Sequence, residues 1–140
     1  MTQTVSELMT RDVVRLPEDA SILDAARAMR DRHIGDVVVT DNGSVVGLAT
    51  DRDIVVRAIA EGKDPSNTRL SEVVSGDAVT VREDASTNEA VELMRQHKVR
   101  RLIVTDDGGR LAGILSIGDL AAAKDPSSVL GAISEAPPND

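Results

Sequence analysis

Two short segments combine a hydroxyl side chain with a carboxylate three residues further along the chain. They are Thr50 with Asp53, and Ser116 with Asp119. An ionised carboxylate only accepts hydrogen bonds, so it can accept from both cis hydroxyls of a ribose, which a deoxyribose cannot provide. The same pattern is also a capping box, in which the hydroxyl and the acid satisfy the first N–H groups of a helix. The residues themselves leave both roles open.

Both segments occupy equivalent positions in an internal duplication. A displacement of 65 residues superposes residues 6–41 on residues 71–106, and 14 of the 36 aligned positions are identical. One extra residue in the second copy, in the turn after Asp106, then makes the displacement 66. A pattern that recurs at matched positions of a duplication carries more weight than a single occurrence.

Each copy predicts the order strand, helix, strand, strand, helix. Apolar runs at residues 13–16 and 79–81 predict the first strands, and Ser21 and Ser86 are typical helix N-caps. An Asn-Gly or Asp-Gly-Gly turn joins the next two strands. A unit of about 60 residues is marginal alone, so we expect an α/β (α+β) fold in which two β-α-β-β-α repeats pack about a pseudo-two-fold axis. The expected boundaries are residues 5–61 for the first repeat, 62–69 for a linker, 70–124 for the second repeat and 125–140 for a C-terminal tail.

The composition argues against several classes of protein. The 140 residues carry a net charge of −8 and include no Cys, Phe, Tyr or Trp. Without cysteine there are no disulfides or thiolate metal sites, and an acidic chain without aromatic residues is not expected to bind nucleic acid. No apolar run approaches the ~18–20 residues of a membrane span, and the first residues do not resemble a signal peptide. We therefore expect a cytoplasmic protein that does not enter a membrane, with Met9, Met29 and Met94 filling gaps in its aliphatic core.

Catalytic and metal-binding residues are not expected. The chain has no P-loop and no grouping that suggests a Ser-His-Asp triad. Its two histidines, His33 and His97, do not occupy equivalent positions, and we expect solvated side chains at helix ends rather than metal ligands. A nucleotide hydrolase is therefore disfavoured.

The two copies resemble the repeats of a tandem CBS-domain protein, a Bateman module of the stand-alone two-CBS type. The resemblance rests on the endings Gly47–Ile54 and Gly113–Leu120 and on the runs Met29–Ile34 and Met94–Val99, and it covers about residues 5–124. It implies a non-catalytic, energy-sensing regulatory module that binds AMP, ADP or ATP in the cleft between the repeats, with S-adenosylmethionine and NAD as further candidates. It also implies a homodimer and a regulated protein partner that the sequence does not identify. A ligand-independent interaction or scaffolding protein is the alternative.

The resemblance also implies which residues hold the ligand. In the family, one repeat holds the ribose, the pair before its second strand faces the phosphates, and apolar residues of the other repeat hold the base. That pair is Arg100-Arg101 in the second copy and Gly35-Asp36 in the first, so we expect the phosphorylated ligand at the second copy. The first site would hold a nucleoside with little phosphate, or nothing, and the backbone of residues 10–13 would read the base edge. The expected ligand-binding residues are Ser116, Asp119, Arg100 and Arg101, with Val14 and Ile34 against the base, and Thr50 and Asp53 at the first site.

Overall fold

The computed structural model describes residues 3–74 and 78–123, so the predicted tail, 125–140, lies outside the described residues. Its helices and strands follow the predicted order in both copies. The elements are α1 (Val5–Leu8), β1 (Arg15–Pro17), α2 (Ile22–Arg32), β2 (Asp36–Asp41), β3 (Ser44–Thr50), α3 (Asp51–Ile54), a π-helical turn (Val55–Ile59), a 3₁₀ turn (Leu70–Glu72), β4 (Thr80–Arg82), α4 (Thr87–His97), β5 (Arg101–Thr105), β6 (Leu111–Ser116) and α5 (Ile117–Ala123).

Each copy forms its own three-stranded sheet, and the two sheets have the same topology. The orders are β1-β2-β3 and β4-β5-β6, with the first pair parallel and the second antiparallel. The predicted mixed α/β class with two β-α-β-β-α repeats is confirmed. The first strand begins later than predicted, at Arg15, because Val14 joins the ladder only through its carbonyl, which accepts from the Val38 N–H at 3.0 Å.

The long helix of each copy is capped in the same way at both ends. Ser21 and Ser86 each accept a hydrogen bond, at 3.1 Å, from the N–H three residues further on. His33 and Lys98 end the helices in the left-handed conformation, each with φ of 55°. Both of these side chains are exposed. Matched caps therefore define matched helices.

The hairpin turns differ by the extra residue of the second copy. In the first, Asn42 and Gly43 both have positive φ, 52° and 88°, as a two-residue turn of the hairpin type requires. In the second, Gly109 has φ of 79°, and the Asp106 carboxylate accepts from the Arg110 N–H at 3.0 Å. The change of displacement from 65 to 66 is thus confined to a surface turn.

The chain forms two compact units, one of residues 13–78 and one that combines the first 12 residues with the second copy. The segment before each repeat therefore completes a core formed by the other copy. Val5 is fully buried in the core of the second copy, and Leu70 is fully buried in the core of the first. Compact units and sequence copies thus divide the chain at different residues.

Both cores are purely aliphatic, and the three methionines lie in them as predicted. One core contains Ile22, Ala25, Met29, Val37, Val39, Ala49, Ile54, Ala58, Leu70 and Val73, and the other contains Val5, Met9, Val81, Ala90, Met94, Leu102, Val104, Leu115 and Leu120.

Candidate functional site

The hydroxyl and carboxylate of the second copy form a complete capping box at the start of α5. Ser116 Oγ accepts from the Asp119 N–H at 3.1 Å, and Asp119 Oδ2 accepts from the Ser116 N–H at 2.9 Å. This arrangement uses one carboxylate oxygen and leaves the hydroxyl proton of Ser116 able to donate. Among the residues that the structure describes, none donates to Asp119 Oδ1. Capping and ligand binding are therefore compatible roles for the same two side chains.

The predicted arginine pair lies beside this capping box. Arg101 opens β5 and is the register partner of Ser116, the last residue of β6. The Arg100 carbonyl accepts from the Ile117 N–H at 2.9 Å. Both arginines are half-buried. One end of the sheet thus presents two guanidiniums next to a hydroxyl and a carboxylate, a combination suited to a ligand that carries both ribose and phosphate.

The first copy repeats this backbone geometry with the opposite charge. Thr50 Oγ1 accepts from the Asp53 N–H, and Asp53 Oδ2 accepts from the Thr50 N–H, both at 3.0 Å. The register partner of Thr50 is Asp36, which stands where the second copy has Arg101. A carboxylate at this position repels phosphate, so the two sites are chemically inequivalent.

Sequence reasoning missed Arg57, which lies against the carboxylate of the first copy. Its Nε is 3.8 Å from Asp53 Oδ1, and the Asp53 side chain is only 17% exposed. Arg57 Nη1 also donates to the Val73 carbonyl at 3.5 Å. A basic residue four positions after an acid on a helix is a signal that could have identified the pair.

The two residues expected to hold the base both lie in the unit of residues 13–78. Val14 is half-buried and packs against the core of that unit. Ile34 follows α2 and is 37% exposed. Their contact with a base stays a prediction.

The backbone of Thr10 is already engaged within the protein. Its N–H donates to the Ile114 carbonyl at 2.8 Å, and its carbonyl accepts from the Ile114 N–H at 2.9 Å. The predicted reading of a base edge is thereby restricted to residues 11–13.

An open groove between α2 and α3 was not predicted from the sequence. It has a volume of about 300 Å³. The large apolar side chains that are most exposed among the described residues, Val55 at 56%, Ile59 at 48% and Val56 at 47%, follow α3. At the end of α2, a hydrogen bond to Asp31 raises the pKa of the exposed Arg30 above its ordinary value. The groove is lined by Ala26, Met29, Arg30, Ile34, Asp51, Ile54 and Val55.

Metal ligation and membrane insertion find no support in residues 3–74 and 78–123. No group of three or more His, Asp or Glu side chains in these ranges could hold a metal ion. No helix in them is long and apolar enough to cross a bilayer.

Comparison with known proteins identifies the family. The model of the CBS domain matches residues 5–59 and 70–125, which is most of the chain. The protein belongs to the CBS-domain family and contains two CBS domains. Pairs of CBS domains are regulatory modules, and stand-alone proteins of this kind are generally not catalytic.

Individual relatives agree with this assignment. The chain is 37% identical over 118 residues to the CBS domain-containing protein YhcV of Bacillus subtilis, covering 84% of this chain and 83% of that protein. It is 36% identical over 118 residues to the uncharacterized protein MK0525 of Methanopyrus kandleri, covering 84% of this chain and only 60% of that protein's length.

Solved structures show the same fold. The crystal structure of Hypoxic Response Protein I with two coordinated zinc ions has a TM-score of 0.78 at 31% identity, covering 86% of this chain and 98% of that one. The hexameric CBS-CP12 protein from bloom-forming cyanobacteria has a TM-score of 0.71 at 28% identity, covering 89% of this chain and 68% of that one. Self-association thus occurs among structures similar to this chain.

Proposed function

We propose that the protein is a cytoplasmic, non-catalytic regulatory module that binds an adenosine-containing ligand of the AMP, ADP or ATP class. The ribose hydroxyls donate to the Asp119 carboxylate, and the phosphates lie against Arg100 and Arg101. Binding shifts the population of conformations and thereby changes the interaction with a regulated partner.

One observation carries this proposal: the register of β5 with β6 sets Arg101 opposite Ser116 at the start of the helix that contains Asp119. A ribose phosphate needs acceptors for its hydroxyls and cations for its phosphate within one small region. Charge-assisted hydrogen bonds from guanidinium to phosphate are about twice as strong as neutral ones. The first copy, with Asp36 in the matched position, lacks this combination.

A ligand-independent interaction or scaffolding protein is the second candidate. It is favoured by the complete capping boxes, because caps alone account for the recurrence of the hydroxyl and acid pattern. Partner binding measured with and without ATP separates the two functions. A scaffold binds equally in both conditions, whereas a sensor does not.

We also propose that the protein is a homodimer that associates through the groove beside α3. The proposal is supported by the adjacent exposure of Val55 and Ile59, one helical turn apart, since monomers rarely expose contiguous apolar surface of this kind. The rim carries both Arg30 and Asp51. A two-fold axis would place one against the other in each half of an interface between two copies.

The experiment that tests ligand binding is calorimetric titration of the whole protein with AMP, ADP, ATP, NAD and S-adenosylmethionine. We expect micromolar binding of an adenine nucleotide that is lost in Asp119→Asn and retained in Asp53→Asn. Asparagine keeps an oxygen that can accept from the helix start, so both variants retain a cap. No binding of any compound would remove the sensor proposal and favour the scaffold.

A further inference from the structure

We infer that Arg57 is an internal counter-ion that occupies the Asp53 carboxylate and weakens the ligand site of the first copy relative to that of the second. The inference rests on the proposed function, because it concerns the same pair of matched sites. It names a residue that determines which of the two sites fills first.

The geometry of the first copy leaves its carboxylate little capacity for a ligand. Asp53 Oδ2 already accepts from the Thr50 N–H at 3.0 Å. Asp53 Oδ1 faces Arg57 Nε at 3.8 Å. A ribose hydroxyl that donates to this carboxylate must therefore compete with a guanidinium for the same oxygen.

Two further contacts hold Arg57 in place. It lies in the π-helical turn Val55–Ile59, which starts two residues after Asp53 and in which the Ala60 N–H reaches back to the Val55 carbonyl at 2.8 Å. Turns of this kind occur frequently at functional sites. The guanidinium also donates to Val73 O at 3.5 Å. The side chain is thus tied to a second part of the same unit rather than extending freely into solvent.

The second copy has the same capping box without the counter-ion. The residue four positions after Asp119 is Ala123, and no cation among the described residues lies within ion-pairing distance of the Asp119 carboxylate. α5 is α-helical from Ile117 to Ala123, with no π-helical turn. Since the two boxes agree to within about 0.1 Å in their hydrogen bonds, the counter-ion is a specific chemical difference between them.

The expected size of the effect is modest. The guanidinium is 51% exposed, and exposed pairs of this kind contribute at most about 1 kcal/mol, which is about fivefold in affinity. Adenosine is the appropriate probe, because it has no phosphate for Arg57 to attract. An effect of Arg57 on adenosine therefore reports the ribose contact alone.

The test isolates each site in the background of the other's variant. In Asp119→Asn, the added change Arg57→Met should strengthen adenosine binding about two- to fivefold, and Arg57→Lys should leave it close to the starting value. In Asp53→Asn, the added change Ala123→Arg should weaken adenosine binding by a similar factor. A residue with only a structural role would lower affinity or leave it unchanged, so the gain in Arg57→Met is diagnostic.

The outcomes separate this inference from the proposed function. Unchanged or weaker binding in Asp119→Asn/Arg57→Met, with adenosine still bound by Asp53→Asn, overturns the role of Arg57 and leaves the sensor intact. Absence of binding to the wild-type protein overturns the sensor, and the inference with it.

Discussion

The N–H of Val5 donates to the carbonyl of Ala85 at 2.9 Å, although these residues are far apart in the sequence. The matched bond of the first copy joins Leu70 to Ala20 at 2.8 Å. Each segment that precedes a repeat is therefore hydrogen-bonded and buried in the unit that contains the other copy. The duplicated sequence folds into two matched units only because these two segments are exchanged.

This exchange predicts that Leu70→Ala is strongly destabilising. The side chain is fully buried, and leucine-to-alanine changes in a core cost about 2–5 kcal/mol. The free energy of unfolding in urea measures the loss. The neighbouring exposed change Ser71→Ala should alter it by less than about 0.5 kcal/mol. Equal effects of the two substitutions would mean that the segment is not docked.

Gly113→Ala is expected to displace the segment after α1. A Cβ at this position would lie 2.5 Å from the Thr10 carbonyl oxygen and 3.0 Å from Met9 Sδ, and overpacking of this kind costs about 1–3 kcal/mol. Amide hydrogen exchange at Ile114, whose N–H is bonded to Thr10 O, should accelerate. Gly118→Ala is the matched control, since its Cβ would meet only Ser116 Oγ at 3.6 Å.

That control should raise stability instead of lowering it. Glycine within a helix costs about 0.8–1.0 kcal/mol relative to alanine, so thermal unfolding of Gly118→Ala should occur at a higher temperature. Wild-type-like stability of Gly113→Ala would contradict the close packing of the first 12 residues against β6.

The arginine pair predicts a selective loss of phosphate binding. Replacement of both Arg100 and Arg101 by alanine should weaken ATP binding at least about tenfold, because hydrogen bonds to charged groups contribute about 1.5–3 kcal/mol each. Binding of adenosine should change less than about twofold, since it lacks phosphate. The control replaces Arg82 and Arg95, exposed arginines of the same unit, and removes the same net charge. Equal losses in both double variants would assign the effect to net charge alone.

The groove predicts the oligomeric state. Val55→Lys and Ile59→Lys together should convert a dimer into a monomer in sedimentation experiments, because charges in the centre of an apolar interface must be desolvated. The circular dichroism spectrum should be unchanged, since both side chains are already exposed. A wild-type monomer, or a double variant that remains dimeric, would exclude this face as the interface.

Local features of the fold were predictable from the sequence, whereas contacts between distant segments were not. Ser21 and Ser86 were correctly predicted as caps because a cap depends on the N–H three residues away. The exchange of Val5 and Leu70 was not predicted, since hydrophobic periodicity shows that a side chain is buried without showing which core buries it. The pairing of Arg57 with Asp53 was within reach of the helical spacing rule, but the exposure of Val55 and Ile59 was not, because their apolar character is equally typical of a buried helix face.

The account stands most directly on the recognition of a ribose by Asp119, and the measurement is the calorimetric titration of AMP and 2′-deoxy-AMP into the wild-type protein and Asp119→Asn. A carboxylate that accepts from two cis hydroxyls should favour AMP by about tenfold, the value of one hydrogen bond to a charged group. In Asp119→Asn both the affinity and this preference should be lost. Equal binding of the two nucleotides by the wild-type protein, or a preference that survives in Asp119→Asn, would show that Asp119 only caps a helix.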